Sequence, residues 1–153
     1  MGTELTAQTL TVSITETIAV DHANGTTNYI DFAQTYTHTY GSIANVSKRI
    51  IKLANTNLTE VATFGTDTQN GAFVRADVRY IRVTNLDDTD ALQVGLDDED
   101  SDAAYTSVAA DSSIIFTGTT VEGGNGGSTL DNATALKVKG SANQQLEVMI
   151  ASV

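Results

Sequence analysis

The amino-acid sequence predicts an all-β protein that forms a single antiparallel β-sandwich, jelly-roll-like, of about nine or ten short strands. Apolar residues recur with a period of two in several segments, which is the spacing of a strand with one buried face. The 153 residues include 24 threonines and 10 asparagines, a composition typical of strands and turns. No window of about 11 residues carries an apolar stripe at helical spacing. The length corresponds to one domain, so we expect residues 1–153 to share one core.

The cleanest alternation lies near the N-terminus, in residues 10–15, where apolar and hydroxyl side chains follow one another. Its apolar face consists of Leu10, Val12 and Ile14. Asn24-Gly25 then favours a tight turn, because both residues tolerate a positive φ. Residues 29–40 form the next predicted strand, which we expect to end at Gly41. One face of that strand carries Tyr36, His38 and Tyr40.

Shorter extended segments fill the rest of the chain. We predict strands at residues 46–53, 58–64, 78–83, 91–96, 104–108, 113–116, 134–138 and 144–150, and one helical turn at 72–77. The connection 85–90 is interpreted as a hairpin, and the Gly-rich segment 121–129 is expected to be a mobile loop. The predicted core between the two sheets consists of Leu10, Val12, Ile14, Ile81, Val83, Leu92, Val94, Leu146, Val148 and Ile150.

The charge is strongly negative and unevenly distributed. The net charge is −11, from 8 basic and 19 acidic residues. No base lies between Arg82 and Lys137, and the 54 residues between them hold 11 acids. Such a chain repels phosphates, so we expect no nucleic-acid partner and no binding to an anionic membrane surface. The rest of the chain is balanced in charge, and we expect copies of the protein to self-associate through it.

The sequence contains no pattern of catalytic, cofactor-binding or metal-ligating residues, and we expect no enzymatic activity. It has no cysteine, and its two histidines, His22 and His38, belong to no recognisable catalytic arrangement. We expect His38 to pack between Tyr36 and Tyr40. The acidic segment 97–102 resembles a calcium loop only superficially, because Ala103 stands where an EF-hand needs glycine. We interpret it as a solvated loop that promotes solubility, with a looser calcium site as the alternative.

Two basic groups stand out in this acidic chain. The first consists of Lys48, Arg49 and Lys52, and the second consists of Arg75, Arg79 and Arg82. Two interpretations stay open at this point: ordinary pairing with acids of the same domain, or contact with acidic loops of a neighbouring copy.

Residues 78–89 (VRYIRVTNLDDT) resemble a group of small virion structural proteins of tailed phages, especially phages of marine cyanobacteria. Residues 46–51 (VSKRII) and 146–151 (LEVMIA) are similar to flanking strands in that group. The resemblance spans about residues 43–153, and its motifs are structural. It implies an all-β particle protein without an active site.

The resemblance leads us to expect a non-enzymatic virion protein that is synthesised in the host cytoplasm. The expected role is capsid decoration or cementing, by a homo-oligomer that contacts the major capsid protein or another virion protein. A tail, neck or fibre component is the first alternative. A calcium- or glycan-binding β-sandwich module and an extracellular filament subunit are alternatives from other classes.

Overall fold

The computed structural model describes residues 8–18, 32–67, 71–98, 104–117 and 133–153. These residues form eleven strands and one 3-10 turn, which confirms the all-β prediction. The chain divides into two compact units, Met1–Ile43 and Ala44–Val153. His22, the Asn24-Gly25 turn and the Gly-rich segment 121–129 lie outside the described residues, and the single domain over 1–153 stays a prediction.

The first unit contains an antiparallel two-stranded ribbon of β1 (Gln8–Ile18) and β2 (Phe32–Ile43). The alternation of hydroxyl and apolar side chains gives the ribbon two different faces. On one face, Ser13 Oγ lies 3.2 Å from Thr37 Oγ1 across the strands. The expected end of this strand at Gly41 is wrong, because β2 continues to Ile43. Ser42 lies in the left-handed region at φ 59°. Beyond it, strand pairing resumes with Ile43 opposite Gln8.

The second unit is a sandwich of a five-stranded and a four-stranded sheet. The five-stranded sheet has the order β5-β4-β10-β7-β8, with β4 (Thr59–Gly65), β5 (Phe73–Val74), β7 (Leu92–Asp98), β8 (Ala104–Val108) and β10 (Ala133–Lys139). The four-stranded sheet has the order β3-β11-β6-β9, with β3 (Asn45–Lys52), β6 (Val78–Asn85), β9 (Ser113–Thr117) and β11 (Gln145–Ser152). All the pairings are antiparallel except the short contact between β4 and β5. The predicted helical turn is present as a 3-10 turn at Arg75–Asp77.

One hydrophobic core fills the space between the two sheets. Seven predicted core residues are at most 1% exposed and therefore confirmed: Ile81, Val83, Leu92, Val94, Leu146, Val148 and Ile150. The prediction is wrong for Leu10, Val12 and Ile14, which belong to the ribbon and not to either sheet of the sandwich. Ile14 is 46% exposed. Alternation shows which side chains share a face, but it does not show what covers that face.

The connection from β6 to β7 is not the predicted hairpin, because the two strands belong to different sheets. The chain turns here with the help of Asp87, whose Oδ1 accepts hydrogen bonds from the backbone N–H of Thr89 at 3.0 Å and of Asp90 at 2.8 Å. These two bonds stabilise the charged carboxylate and lower the pKa of Asp87. The carboxylate of Asp87 therefore has a structural role in the crossing between sheets.

Candidate interaction surfaces

The ribbon has an apolar face that is exposed at Ile14 and Tyr36 but buried at Tyr40. Cross-strand pairs place Leu10 opposite Tyr40, Val12 opposite His38, and Ile14 opposite Tyr36. The rings of His38 and Tyr40 are 4.4 Å apart between centroids, which bears out the Tyr40 side of the predicted packing of His38 between Tyr36 and Tyr40. Ile14 and Tyr36 are 46% and 52% exposed. An apolar face of this kind is typical of a surface that another molecule or segment covers.

The opposite face and the charge of the ribbon reinforce this interpretation. Threonine and serine hydroxyls line the opposite face, where Thr15 and Thr35 lie 3.1 Å apart between their hydroxyl oxygens. Glu16 is the only carboxylate in residues 8–18 and 32–43, and these ranges contain no lysine or arginine. Two-stranded ribbons are marginally stable in water, so the apolar face gains stability when it is covered. A nearly uncharged ribbon can approach a second copy of this acidic chain without strong repulsion.

The outward face of the four-stranded sheet is also partly apolar. Val46 and Ile50 on β3 are 57% and 64% exposed, and Leu86, just after β6, is 41% exposed. The outward face of the five-stranded sheet is more polar, as expected for a solvated face. Its side chains include Glu60, Gln93, Asp97, Ser107, Lys137 and Lys139. The alternation of Val46, Lys48, Ile50 and Lys52 in the sequence is the local signal for this surface.

A three-residue ion cluster crosses the four-stranded sheet. Glu147 on β11 lies between Lys48 and Arg82, with its Oε2 3.2 Å from Lys48 Nζ and its Oε1 2.5 Å from Arg82 Nη2. Desolvation by burial raises the pKa of Glu147, but the hydrogen bonds from Lys48 and Arg82 outweigh it and lower the pKa overall. One member of each predicted basic group is therefore paired within its own chain.

The remaining bases differ in their surroundings. Arg49 donates a hydrogen bond to the backbone carbonyl of Val61, which joins the two sheets. Arg79 donates to the carbonyl of Ala76 at 2.6 Å. Lys52 is exposed and forms no ion pair with any described residue. The members of each predicted basic group therefore have different surroundings in the fold. The charge of Lys52 stays available for a partner.

The predicted solvated loop 97–102 is wrong for its first two residues, because Asp97 and Asp98 belong to β7. Asp97 is also paired. It lies in β7, forms an ion pair with Lys137 on β10, and accepts a hydrogen bond from Tyr105 Oη at 3.3 Å. The bond to Asp97 raises the pKa of Lys137 despite some desolvation. Burial, together with the negative charge of Asp97, raises the pKa of Tyr105. Residues 99–103 lie outside the described residues, so the solvated loop stays a prediction for that segment.

Within the described ranges, no three or more histidine, aspartate or glutamate side chains gather closely enough to hold a metal ion. The described residues also include no helix with the length and apolarity needed to span a membrane.

The described part of the chain belongs to the all-β class and has a sandwich architecture. Comparison with protein-family models, with curated proteins and with solved structures finds no match to the chain.

Proposed function

We propose that this chain is a structural protein of a phage virion and that it decorates or cements the capsid. Its partners in this proposal are further copies of itself and the major capsid protein. The role is adhesion: the sandwich supplies a rigid body, and exposed faces are buried against neighbouring subunits.

The single observation that carries this proposal is the apolar face of the ribbon. A two-stranded ribbon with Ile14 and Tyr36 half exposed gains little stability in isolation, but it gains burial when it lies against another subunit. Its lack of positive charge and its single carboxylate make an apolar protein surface a better partner than a charged polymer.

The location of the resembling segments supports the proposal as well. Residues 46–51 lie in β3, residues 146–151 lie in β11, and residues 78–85 form β6. These three strands are direct neighbours in the four-stranded sheet. The resemblance to virion proteins therefore concerns one continuous piece of structure, although its segments are distant in sequence.

Cryo-electron microscopy of the particles that carry this protein tests the proposal directly. We expect sandwich-shaped density on the outer surface of the head, with the ribbon lying on a neighbouring copy or on the major capsid protein. Density on the tail, neck or fibres would overturn the decoration role, and absence of the protein from the particles would overturn the proposal as a whole.

A matched pair of variants tests the ribbon face in the same particles. Ile14→Asp with Tyr36→Asp places two carboxylates on the apolar face. Ser13→Asp with Thr37→Asp places two carboxylates at neighbouring cross-strand positions on the hydroxyl face. We expect only the first pair to prevent incorporation into particles. Equal incorporation of both variants would remove the ribbon face from the proposal.

A further inference from the structure

The edge strand β3 has one side that no described strand covers. In the four-stranded sheet, β3 pairs only with β11 among the described strands, and this pairing is regular over all 8 residues. Leu53, directly after β3, donates its backbone N–H to the carbonyl of Gln144 at 2.9 Å. Hydrogen-bonded pairs alternate in an antiparallel ladder, so Ser47, Arg49 and Ile51 bond to β11. The backbone N–H and C=O groups directed to the uncovered side are those of Val46, Lys48, Ile50 and Lys52.

The two sheets differ in width at this edge. β3 lies opposite β4, because Arg49 on β3 donates a hydrogen bond to the backbone carbonyl of Val61 on β4. β5 pairs with β4 on the side away from β10, so it extends beyond β3, and no described strand of the other sheet lies opposite it. A cavity of about 420 Å³ lies here, lined in part by Ser47 on β3 and by Phe73 and Val74 on β5. The strand position beside β3 is therefore free of described strands, and it borders a cavity.

The side chains of β3 specify the chemistry of a strand that fits this position. β3 contains Lys48, Arg49 and Lys52 and no acidic residue. Lys48 and Lys52 lie on the outward face, and Lys52 forms no ion pair with any described residue. A carboxylate directly across a strand pair from a lysine is stabilising. On the inward face, Ser47 leaves room for an apolar side chain, and Asp77 at the same cavity disfavours a second carboxylate there.

We propose that β3 binds an extended segment of another protein, in which acidic and apolar residues alternate, as an added strand of the four-stranded sheet. The acidic side chains lie on the outward face beside Lys48 and Lys52, and the apolar side chains point inward to the cavity. Main-chain hydrogen bonds supply the affinity in this mode of recognition, and alternate side chains supply the specificity. The inference goes beyond the proposed function, because it uses a surface other than the ribbon and requires no virion.

The sandwich of a second copy provides no such strand. Two paired β3 strands would bring the bases of both copies together, and like charges opposite each other are destabilising. The other edge strands of the sandwich among the described residues are β5, β8 and β9, and none of them contains an acidic residue. Lysines on an edge strand oppose pairing with an identical strand. The same lysines favour an acidic strand from a different protein.

Binding of synthetic peptides to the full chain tests the inference. The test peptide has the length of β3, 8 residues, with glutamate and valine in alternation. One control peptide has lysine in place of glutamate. A second keeps the glutamates but carries N-methyl groups on their backbone nitrogens, which blocks the edge that would face β3. Isothermal titration calorimetry should give a dissociation constant on the order of 100 μM for the test peptide and at least about tenfold weaker binding of both controls. Equal binding of either control, or no binding of the test peptide, would overturn the proposal.

Amide hydrogen exchange, followed by NMR, locates the bound peptide. In the free protein, we expect rapid exchange at the even-numbered positions of β3 and protection by β11 at the odd-numbered positions. Saturation with the test peptide should slow exchange at the even-numbered positions by about tenfold. Unchanged exchange at these positions would overturn strand addition. Protection that appears when the protein alone is concentrated would identify a second copy as the occupant and would overturn the acidic partner segment.

A matched pair of protein variants tests the charge preference. Lys52→Glu is the test variant and Lys139→Glu is the control, because both replace one exposed lysine and Lys139 lies on β10 in the five-stranded sheet. We expect Lys52→Glu to weaken binding of the test peptide at least about fivefold and to strengthen binding of the lysine peptide. The control should bind both peptides like the unaltered chain. Equal changes in the two variants would overturn the contact with Lys52, and circular dichroism melting checks that each variant is folded.

Discussion

Gln144 donates a hydrogen bond from its side-chain Nε2 to Asn85 Oδ1, 3.0 Å away, and both side chains are buried. Asn85 ends β6, and its Nδ2 donates to the backbone carbonyls of Asp90 at 2.7 Å and Ala109 at 3.1 Å. Gln144 Oε1 accepts from the backbone N–H of Ser141 at 2.8 Å. Two side-chain amides therefore satisfy the backbone of three connections at one end of the sandwich. A buried polar network of this kind is stabilising because each of these donors and acceptors has a partner.

Asn85→Ala should destabilise the sandwich strongly, because it removes partners from Gln144 and from buried carbonyl groups. We expect a loss of about 2–4 kcal/mol in the free energy of unfolding, which urea denaturation measures. Gln145→Ala, at an exposed neighbouring position, is the control and should change little. A double-mutant cycle with Gln144→Ala should give a non-additive result, and strict additivity would contradict a shared network.

Leu146→Ala should cost about 3 kcal/mol, because it leaves a cavity in the core between the two sheets. The same truncation of Ile14 should cost much less in the monomer, because that side chain is 46% exposed. Urea denaturation at low protein concentration compares the two. Equal losses would indicate that the ribbon face is covered within the monomer.

Glu147→Gln should weaken the dependence of the protein's stability on pH in the acid range. The pKa of Glu147 is lowered in the folded protein, so its contribution is present above its ordinary value of 4.5 and is lost as the pH falls through the folded pKa. The variant should therefore be less stable at neutral pH and should approach the unaltered protein in acid. Thermal melting across this pH range measures the difference, with Glu60→Gln as an exposed control. A constant difference at all pH values would contradict the prediction.

Asp97→Asn should change the dependence of the protein's stability on pH in the alkaline range. The pKa of Lys137 is raised above 10.5 and that of Tyr105 above 10.0, so their contributions are present below about pH 10 and are lost as the pH rises through the folded pKa values. Removing the carboxylate should lower stability at neutral pH by about 1 kcal/mol or less. It should also weaken the loss of stability that occurs as the pH rises into the alkaline range. Melting curves up to high pH test this, and an unchanged decline would refute the assigned pairing.

Calcium should leave the melting temperature nearly unchanged. Replacing Asp98, Asp100 and Asp102 with asparagine should also change stability little at physiological salt, where exposed charges are screened over about 8 Å. It should lower solubility, because the net charge changes from −11 to −8. Melting curves with calcium and with chelator, on both proteins, measure the effect. A rise of many degrees that the replacement abolishes would favour the calcium-module alternative.

Local sequence patterns were sufficient to predict the fold class and the buried face of most strands. Side chains alternate in a strand whatever its neighbours are, so the pattern around Ile81 and Val83 and around Leu146 and Val148 was sufficient to identify the buried face. Threonine and asparagine content indicated strands and turns for the same local reason. The sequence also shows that the acids are concentrated after Arg82 and that it contains no pattern of catalytic residues.

Sequence patterns did not predict which strands share a sheet or what covers each face, because both depend on contacts that form only in the folded chain. Leu10, Val12 and Ile14 alternate as regularly as the core strands, yet they lie on a ribbon in a separate compact unit. The crossing at Asn85, the Glu147 ion cluster and the pairing of Asp97 with Lys137 join residues that are distant in sequence. Such contacts depend on which strands become neighbours. Strand pairing is a non-local choice, and the period of a single strand carries no information about it.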